Sequence, residues 1–149
     1  MEQELILGDV DILHAFLHGE PNLVVREDAD YGKLFELGFT PCCIPLPVLF
    51  WFNSASRGIF LRVVFPATDT PKDEVDLLST LNRINFTLPV GTFAADHDSG
   101  EVRFKNAVFV GELPLHVEIL GNLVASSFEM VRMHYADIVR AMTGRPHTH

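Results

Sequence analysis

Along the chain, the spacing of apolar positions changes from a helical period to an alternating one and back again. Ile12, Leu13, Phe16 and Leu17 fall at i, i+1, i+4 and i+5, one face of a short helix expected over Asp9 to His18 and ended by Gly19 and Pro21. Leu23 to Phe39 reads two ways. Leu23, Val24 and Val25 favour a strand, whereas Leu34, Phe35 and Leu37 suit either type. Ile44 to Asn53 and Gly58 to Pro66 are rich in Val, Ile and Phe, and the small polar segment between them suits a hairpin turn. Alternation puts Leu46, Val48, Phe50 and Phe52 on one face of the first strand and Leu49 and Trp51 on the other. In the second strand Ile59, Leu61, Val63 and Phe65 oppose Phe60, Arg62 and Val64. Apolar residues on both faces predict that both are at least partly covered, the one bearing Arg62 less so. Pro45 and Pro47 lack their N–H groups on the same side, so the start of this strand is expected at an edge or beyond the region of pairing.

A second helix is expected from Pro71, with Thr70 as N-cap, Asp73 and Glu74 in the first turn, and Leu77, Leu78, Leu81 and Ile84 as its stripe. It ends before Pro89 and Gly91. Thr92 to Val110 reads as a hairpin turning at Asp96-His97-Asp98-Ser99-Gly100, with Val102 and Phe104 alternating with Arg103 and Lys105. The last element is a helix from near Pro114 to about Met142. Val117, Leu120, Val124, Phe128, Val131, Tyr135, Ile138 and Met142 recur on it at spacings of three and four, and Gly144 and Pro146 stop it. Ile119, Leu123, Met130 and Met133 widen its apolar arc beyond a single stripe. The fold class is α+β, helices packed on an antiparallel sheet in the order α-β-β(-β)-α-β-β-α. With no linker or repeat, residues 1–149 form one domain, and 143–149 are expected to be a flexible tail.

Composition adds a hint of partnership. Apolar residues make up 48% of the 149-residue chain and mean hydropathy is +0.20, somewhat apolar for a monomer of this size and suggestive of a buried partner surface. Twenty acidic against eleven basic residues give a formal charge of −9, with no basic run, which argues against nucleic acid and anionic membranes as partners. The longest apolar run, Ile44 to Phe52, contains two prolines and is far short of the about 20 residues that cross a bilayer. The acidic start Met-Glu-Gln-Glu differs from a secretory signal, so the cytoplasm is the expected location.

From Leu77 to Tyr135 the chain resembles the YbjN-like family, linked to bacterial sensory-transduction regulation. The resemblance is carried by Leu81-Asn82-Arg83-Ile84-Asn85, Leu88-Pro89-Val90-Gly91-Thr92-Phe93, the acidic turn before Gly100-Glu101-Val102, and the long terminal helix. It implies a type III secretion chaperone-like fold, a sheet flanked by helices that commonly dimerises, and it brings no catalytic residues. Pro45, Pro47 and the pair Cys42-Cys43 depart from the family pattern. Physically, Asn82 and Asn85 can bond free carbonyls or the incoming loop at the helix end, and Pro89 and Gly91 turn the chain into the next strand.

Candidate chemistry is sparse. His14 and His18 share a helical face at a spacing that suits a metal, without an evident third ligand or a His-Glu-x-x-His signature. His116 and His134 share a face of the last helix but stand about 27 Å apart along it. His147 and His149 lie in the tail. Asp96-His97-Asp98 is too short a turn for an EF-hand loop. Cys42 and Cys43 are either small apolar thiols in a buried segment or a vicinal redox pair, the former preferred. No phosphate loop, nucleophile elbow or dinucleotide fingerprint occurs, so no catalytic, cofactor-binding or metal residue is nominated. The reading that remains is a non-enzymatic protein-binding module, chaperone-like or regulatory, acting as a homodimer with itself and an unidentified protein as partners. Its expected interface residues are Leu49, Trp51, Phe60, Val64, Met130 and Met133, all of which would equally complete a core. The alternative is a small-molecule-binding or enzymatic domain with a pocket between sheet and helices; a structural subunit of a larger assembly is a third possibility.

Overall fold

The computed structural model describes residues 13–20, 22–68 and 73–144. Among these, β1 (Val24–Asp28), β2 (Gly32–Phe39), β3 (Leu46–Asn53), β4 (Gly58–Phe65), β5 (Thr92–Ala95) and β6 (Val102–Phe109) form one sheet in the order β1-β2-β3-β4-β6-β5. Every neighbouring pair is antiparallel. Residues 13–17 are the described part of α1, α2 (Glu74–Asn85) connects β4 to β5, and α3 (Val117–Thr143) follows β6. The α+β class is that read from the sequence, but four strands, not two or three, lie between α1 and α2, because residues 24–39 form two of them.

Leu23 to Phe39, which read two ways, contains the hairpin of β1 and β2. The Asp28 carboxylate accepts from the N–H groups of Asp30 and Tyr31 at 2.9 and 3.1 Å, an Asx turn. Gly32 then takes φ +74°, open to glycine without a Cβ penalty. The turn, more than the propensities of Leu34, Phe35 and Leu37, decides this segment. β3 is an interior strand despite its prolines. Its pairing with β4 begins only at Val48, while Leu46 and Pro47 pair with β2 alone, and Pro45 precedes the strand. The missing donors thus fall beyond the reach of β4.

The helix boundaries shift slightly. α2 begins at Glu74, and its N-cap is Asp73, which accepts from Val75 and Asp76 N–H at 3.0 and 3.2 Å. Thr70 and Pro71 lie outside the described residues, as do residues 9–12 of the first helix and the tail beyond Gly144. α3 starts at Val117 and ends on Gly144 at φ +70°.

All described helices pack on one face of the sheet. His14 of α1 meets Phe35 at 5.6 Å, Phe39 stacks on Phe128 at 4.0 Å, and Phe65 meets Tyr135 at 5.9 Å. Asn106 Nδ2 donates to the buried Ser127 hydroxyl at 3.0 Å. The sheet side of this core comprises Phe35, Leu37, Phe39, Leu46, Val48, Phe50, Ile59, Leu61, Val63, Phe65, Val102 and Phe104, each at most 8% exposed. Two residues assigned to helical stripes are not in it. Leu78 and Val117 face outward, and the helix interface is completed instead by the small polar residues Thr80 and Ser127.

Asn85 ties α2 to the sheet. Its Nδ2 donates to the Phe93 carbonyl and its Oδ1 accepts from the Phe93 N–H, both at 2.8 Å. Phe93 lies in β5, an edge strand that among the described residues pairs only with β6. One side-chain amide therefore satisfies both backbone groups of Phe93, an effective device for blunting an edge.

Candidate functional site

The opposite face of the sheet has no helix over it among the described residues, yet it is built from residues typical of a core. Cross-strand register lays them out in rows. Arg26, Leu34, Trp51, Phe60 and Ala107 form one, and Val24, Glu36, Leu49, Arg62, Lys105 and Thr92 form the next. Leu34 and Trp51 are 3% and 9% exposed, although neither belongs to the main core cluster. Trp51 is flanked by Tyr31, Phe60 and Arg62, its neighbours on this face.

Those neighbours form a continuous aromatic strip. Tyr31 lies 4.5 Å from Trp51 between ring centroids, Trp51 stacks on Phe60 at 5.5 Å, and Phe60 meets the edge of Phe109 at 5.6 Å. Gly58 is the floor beneath its outer end. A Cβ there would come within 2.7 Å of the Phe109 ring and 3.0 Å of the Phe60 ring. Phe109 is 60% exposed, so the strip ends in solvent.

Arg62 sits on this strip. Its guanidinium carbon is 5.1 Å from the Trp51 ring centre and 5.7 Å from that of Tyr31, and Nη2 makes a long 3.4 Å contact with the Tyr31 hydroxyl. Its Nε is buried with no hydrogen-bond partner. Directly across the β4–β6 ladder stands Lys105. The other basic residues of the face are paired: Arg26 with Glu36 at 2.6 Å, and Arg103 with Glu101 at 2.6 Å and Asp96 at 3.5 Å.

Of the six residues expected at an interface, Leu49, Trp51, Phe60 and Val64 lie together on this uncovered face. The methionines do not join them, because α3 packs on the other side of the sheet. Met130 is a core residue at 8% exposure and Met133 is 59% exposed on the outer side of α3. Sequence reasoning passed over Tyr31, Phe109 and Leu34, which complete the strip. It also passed over a second apolar surface on α2, where Val75, Leu78 and Phe86 are 77%, 49% and 92% exposed at a spacing that puts them on one side of the helix.

The remaining candidates gain little. His14 and His18 are exposed with ring centroids 6.3 Å apart, and among the described residues no group of three or more His, Cys, Asp or Glu could hold a metal ion. Cys42 and Cys43 are both free and exposed, which corrects the reading of a buried pair. They lie in the loop between β2 and β3, where Pro41 and Pro45 keep the chain out of the sheet. A hydrogen bond with Cys43, with lesser help from desolvation, raises the Cys42 pKa and disfavours a reactive thiolate. In the tip between β5 and β6, the Ser99 hydroxyl and then the Asp98 N–H hold the Asp96 carboxyl below the usual range. An apolar cleft of about 260 Å³ between α1, β2 and α3 is lined by Phe16, Leu17, Leu37, Phe39, Val124 and Phe128 among others. It falls just below the range of about 300–1,000 Å³ usual for small-molecule sites. No described helix is long and apolar enough to cross a membrane.

No family model matches the sequence, and no curated protein matches it. Solved structures do match. A chain of the ExsC–ExsE complex aligns at TM-score 0.57 and 16% identity over 83% of this chain and 88% of that one. A chain of the HopA1–SchA chaperone–effector complex aligns at 0.56 and 14% over 89% and 95%. YbjN from E. coli aligns at 0.56 and 14% over 83% and 86%. The chain therefore shares its α+β fold with YbjN and with chains of the ExsC–ExsE and HopA1–SchA complexes.

Proposed function

We propose that this chain is a non-enzymatic protein-binding module, chaperone-like or regulatory, that works in the cytoplasm as a homodimer and holds its partner on the uncovered face of the sheet. The observation that carries the reading is that face itself. It is an aromatic strip of Tyr31, Trp51, Phe60 and Phe109, flanked by Leu34, Leu49 and Val64, with no described helix above it. Aromatic and arginine side chains are the ones that dominate binding energy at interfaces. Matching structures that are themselves complexes with a partner protein are consistent with it. The exposed Val75, Leu78 and Phe86 supply a separate surface for self-association, which leaves the sheet face free.

Light scattering tests the two surfaces separately. The wild type should have about twice the 16.7 kDa mass of one chain, Leu78→Asp with Phe86→Asp should have the single mass, and Phe60→Asp should remain a dimer. In affinity capture from the source lysate, Phe60→Asp, shown to be folded by circular dichroism, should lose a protein that the wild type retains. A monomeric wild type across the micromolar range overturns the dimer; an identical capture by Phe60→Asp overturns the role of the sheet face.

A further inference from the structure

The uncovered face differs from the rest of the molecule in charge. The chain carries −9, whereas this face presents Arg26, Arg62, Arg103 and Lys105 against Asp28, Glu36, Asp96 and Glu101, four cations to four carboxylates. After the ion pairs of Arg26 and Arg103 are set aside, Arg62 and Lys105 have no ion pair among the described residues. They are register partners on adjacent strands, and like charges directly opposite one another destabilise a sheet. Arg62 also keeps a buried Nε without an acceptor and makes only a 3.4 Å contact through Nη2. Rings hold the guanidinium in place while its charge goes uncompensated.

From this juxtaposition we infer that Arg62 and Lys105 form a carboxylate-reading pair, and that the partner is an extended segment carrying an acidic residue between two apolar ones. The inference rests on the reading of the sheet face as a protein-binding surface. Along β4 the face repeats as Phe60, Arg62, Val64, one row every two residues, about 6.6–6.8 Å. An extended segment laid along β4 has the same repeat, so a pattern apolar-x-acidic-x-apolar puts its side chains on Phe60, on Arg62 with Lys105, and on Val64 in turn. A carboxylate there gains a charge-assisted contact with the guanidinium and relieves the opposition of the two cations. A second copy of this chain is a poor occupant. A two-fold axis through the centre of the face would set Arg62 and Lys105 against their own copies. Nucleic acid is a poor one too, since two cations on a chain of −9 cannot offset its repulsion.

The chain's single tryptophan, Trp51, stacks on Phe60 and under Arg62, so its fluorescence reports occupancy directly. The probe is a display library of random dodecapeptides, selected on the wild-type protein and counter-selected on Phe60→Ser. Peptides dependent on Phe60 should be enriched in Asp or Glu two positions from an apolar residue on either side. Exchanging that acid for its amide should weaken binding about tenfold on the wild type and leave it almost unchanged on Arg62→Gln or Lys105→Gln. Phe60-dependent peptides that tolerate the amide overturn the carboxylate pair while leaving the binding surface intact. No Phe60-dependent peptide at all, or a loss of self-association in Phe60→Ser by light scattering, overturns both readings.

Discussion

Replacement of Asn85 tests how the edge of the sheet is secured. The side-chain amide makes two hydrogen bonds of 2.8 Å to the backbone of Phe93, half-buried from water. Each bond contributes about 0.5–1.5 kcal/mol net, so Asn85→Ala should cost about 1–3 kcal/mol. At this chain length that is a fall in Tm of about 3–10 °C. Urea unfolding followed by circular dichroism should show a lower midpoint at unchanged slope, since the exposed surface is the same. The Phe93 amide, bonded only to Asn85, should exchange its hydrogen markedly faster.

Asn85→Asp separates hydrogen bonding from packing, because it is isosteric. The carboxylate still accepts from the Phe93 N–H, but its second oxygen faces the Phe93 carbonyl, and two acceptors 2.8 Å apart repel. At pH 7 this variant should be no more stable than Asn85→Ala. When protonated, the new carboxyl can donate again, so its pKa in the fold lies above the unfolded value of about 3.9. The bond is then fully present below that value and is lost as pH rises through the folded pKa. The variant should therefore gain on Asn85→Ala as the pH falls from 7 to about 4. A midpoint for Asn85→Ala equal to that of the wild type, or a pH-independent gap between the two variants, refutes the bridge.

Two further outcomes follow from local geometry. Gly91→Ala should cost about 2–5 kcal/mol: Gly91 has φ +73°, and a Cβ would meet the Phe104 ring, 0% exposed, at 2.3 Å; a urea midpoint close to that of the wild type contradicts this. Because the Asp96 carboxyl titrates below its ordinary 3.8, its stabilisation is present above that pH and is lost as pH falls through the folded value. The stability gap between wild type and Asp96→Ala should thus be constant near neutrality and close below pH 3.8, as followed by urea titrations at several pH values.

Much of the fold was legible in local chemistry. The alternation along β3 and β4 placed Val48, Phe50, Leu61 and Val63 inside, and all four are at most 1% exposed. The asparagine at the end of α2 was read as a bonding group and does bond to the incoming strand. The failures arose where the outcome depends on distant elements. Cys42 and Cys43 resemble strand residues until the adjacent prolines place them in a loop. Met130 and Met133, three residues apart on a helix with a wide apolar arc, differ in exposure as 8% and 59% because the packing of α3 on the sheet draws its boundary between them.

Arg62 alone marks its face as the less covered one in the strands; the rest of the pattern does not separate the two faces. Leu49, Trp51, Phe60 and Val64 are as apolar as the residues they alternate with. Only the placement of α1, α2 and α3 on one side leaves them without a helix above them among the described residues. A core would not need Arg62 among them, since an orphaned Nε and a facing Lys105 both cost stability. The acidic partner proposed for this face would be selected by the same two features. At 14–16% identity the matching structures share the fold of this chain and few of its residues. The character of the sheet face is therefore set by this chain's own side chains, Arg62 and Lys105 among them, and not by the fold it shares.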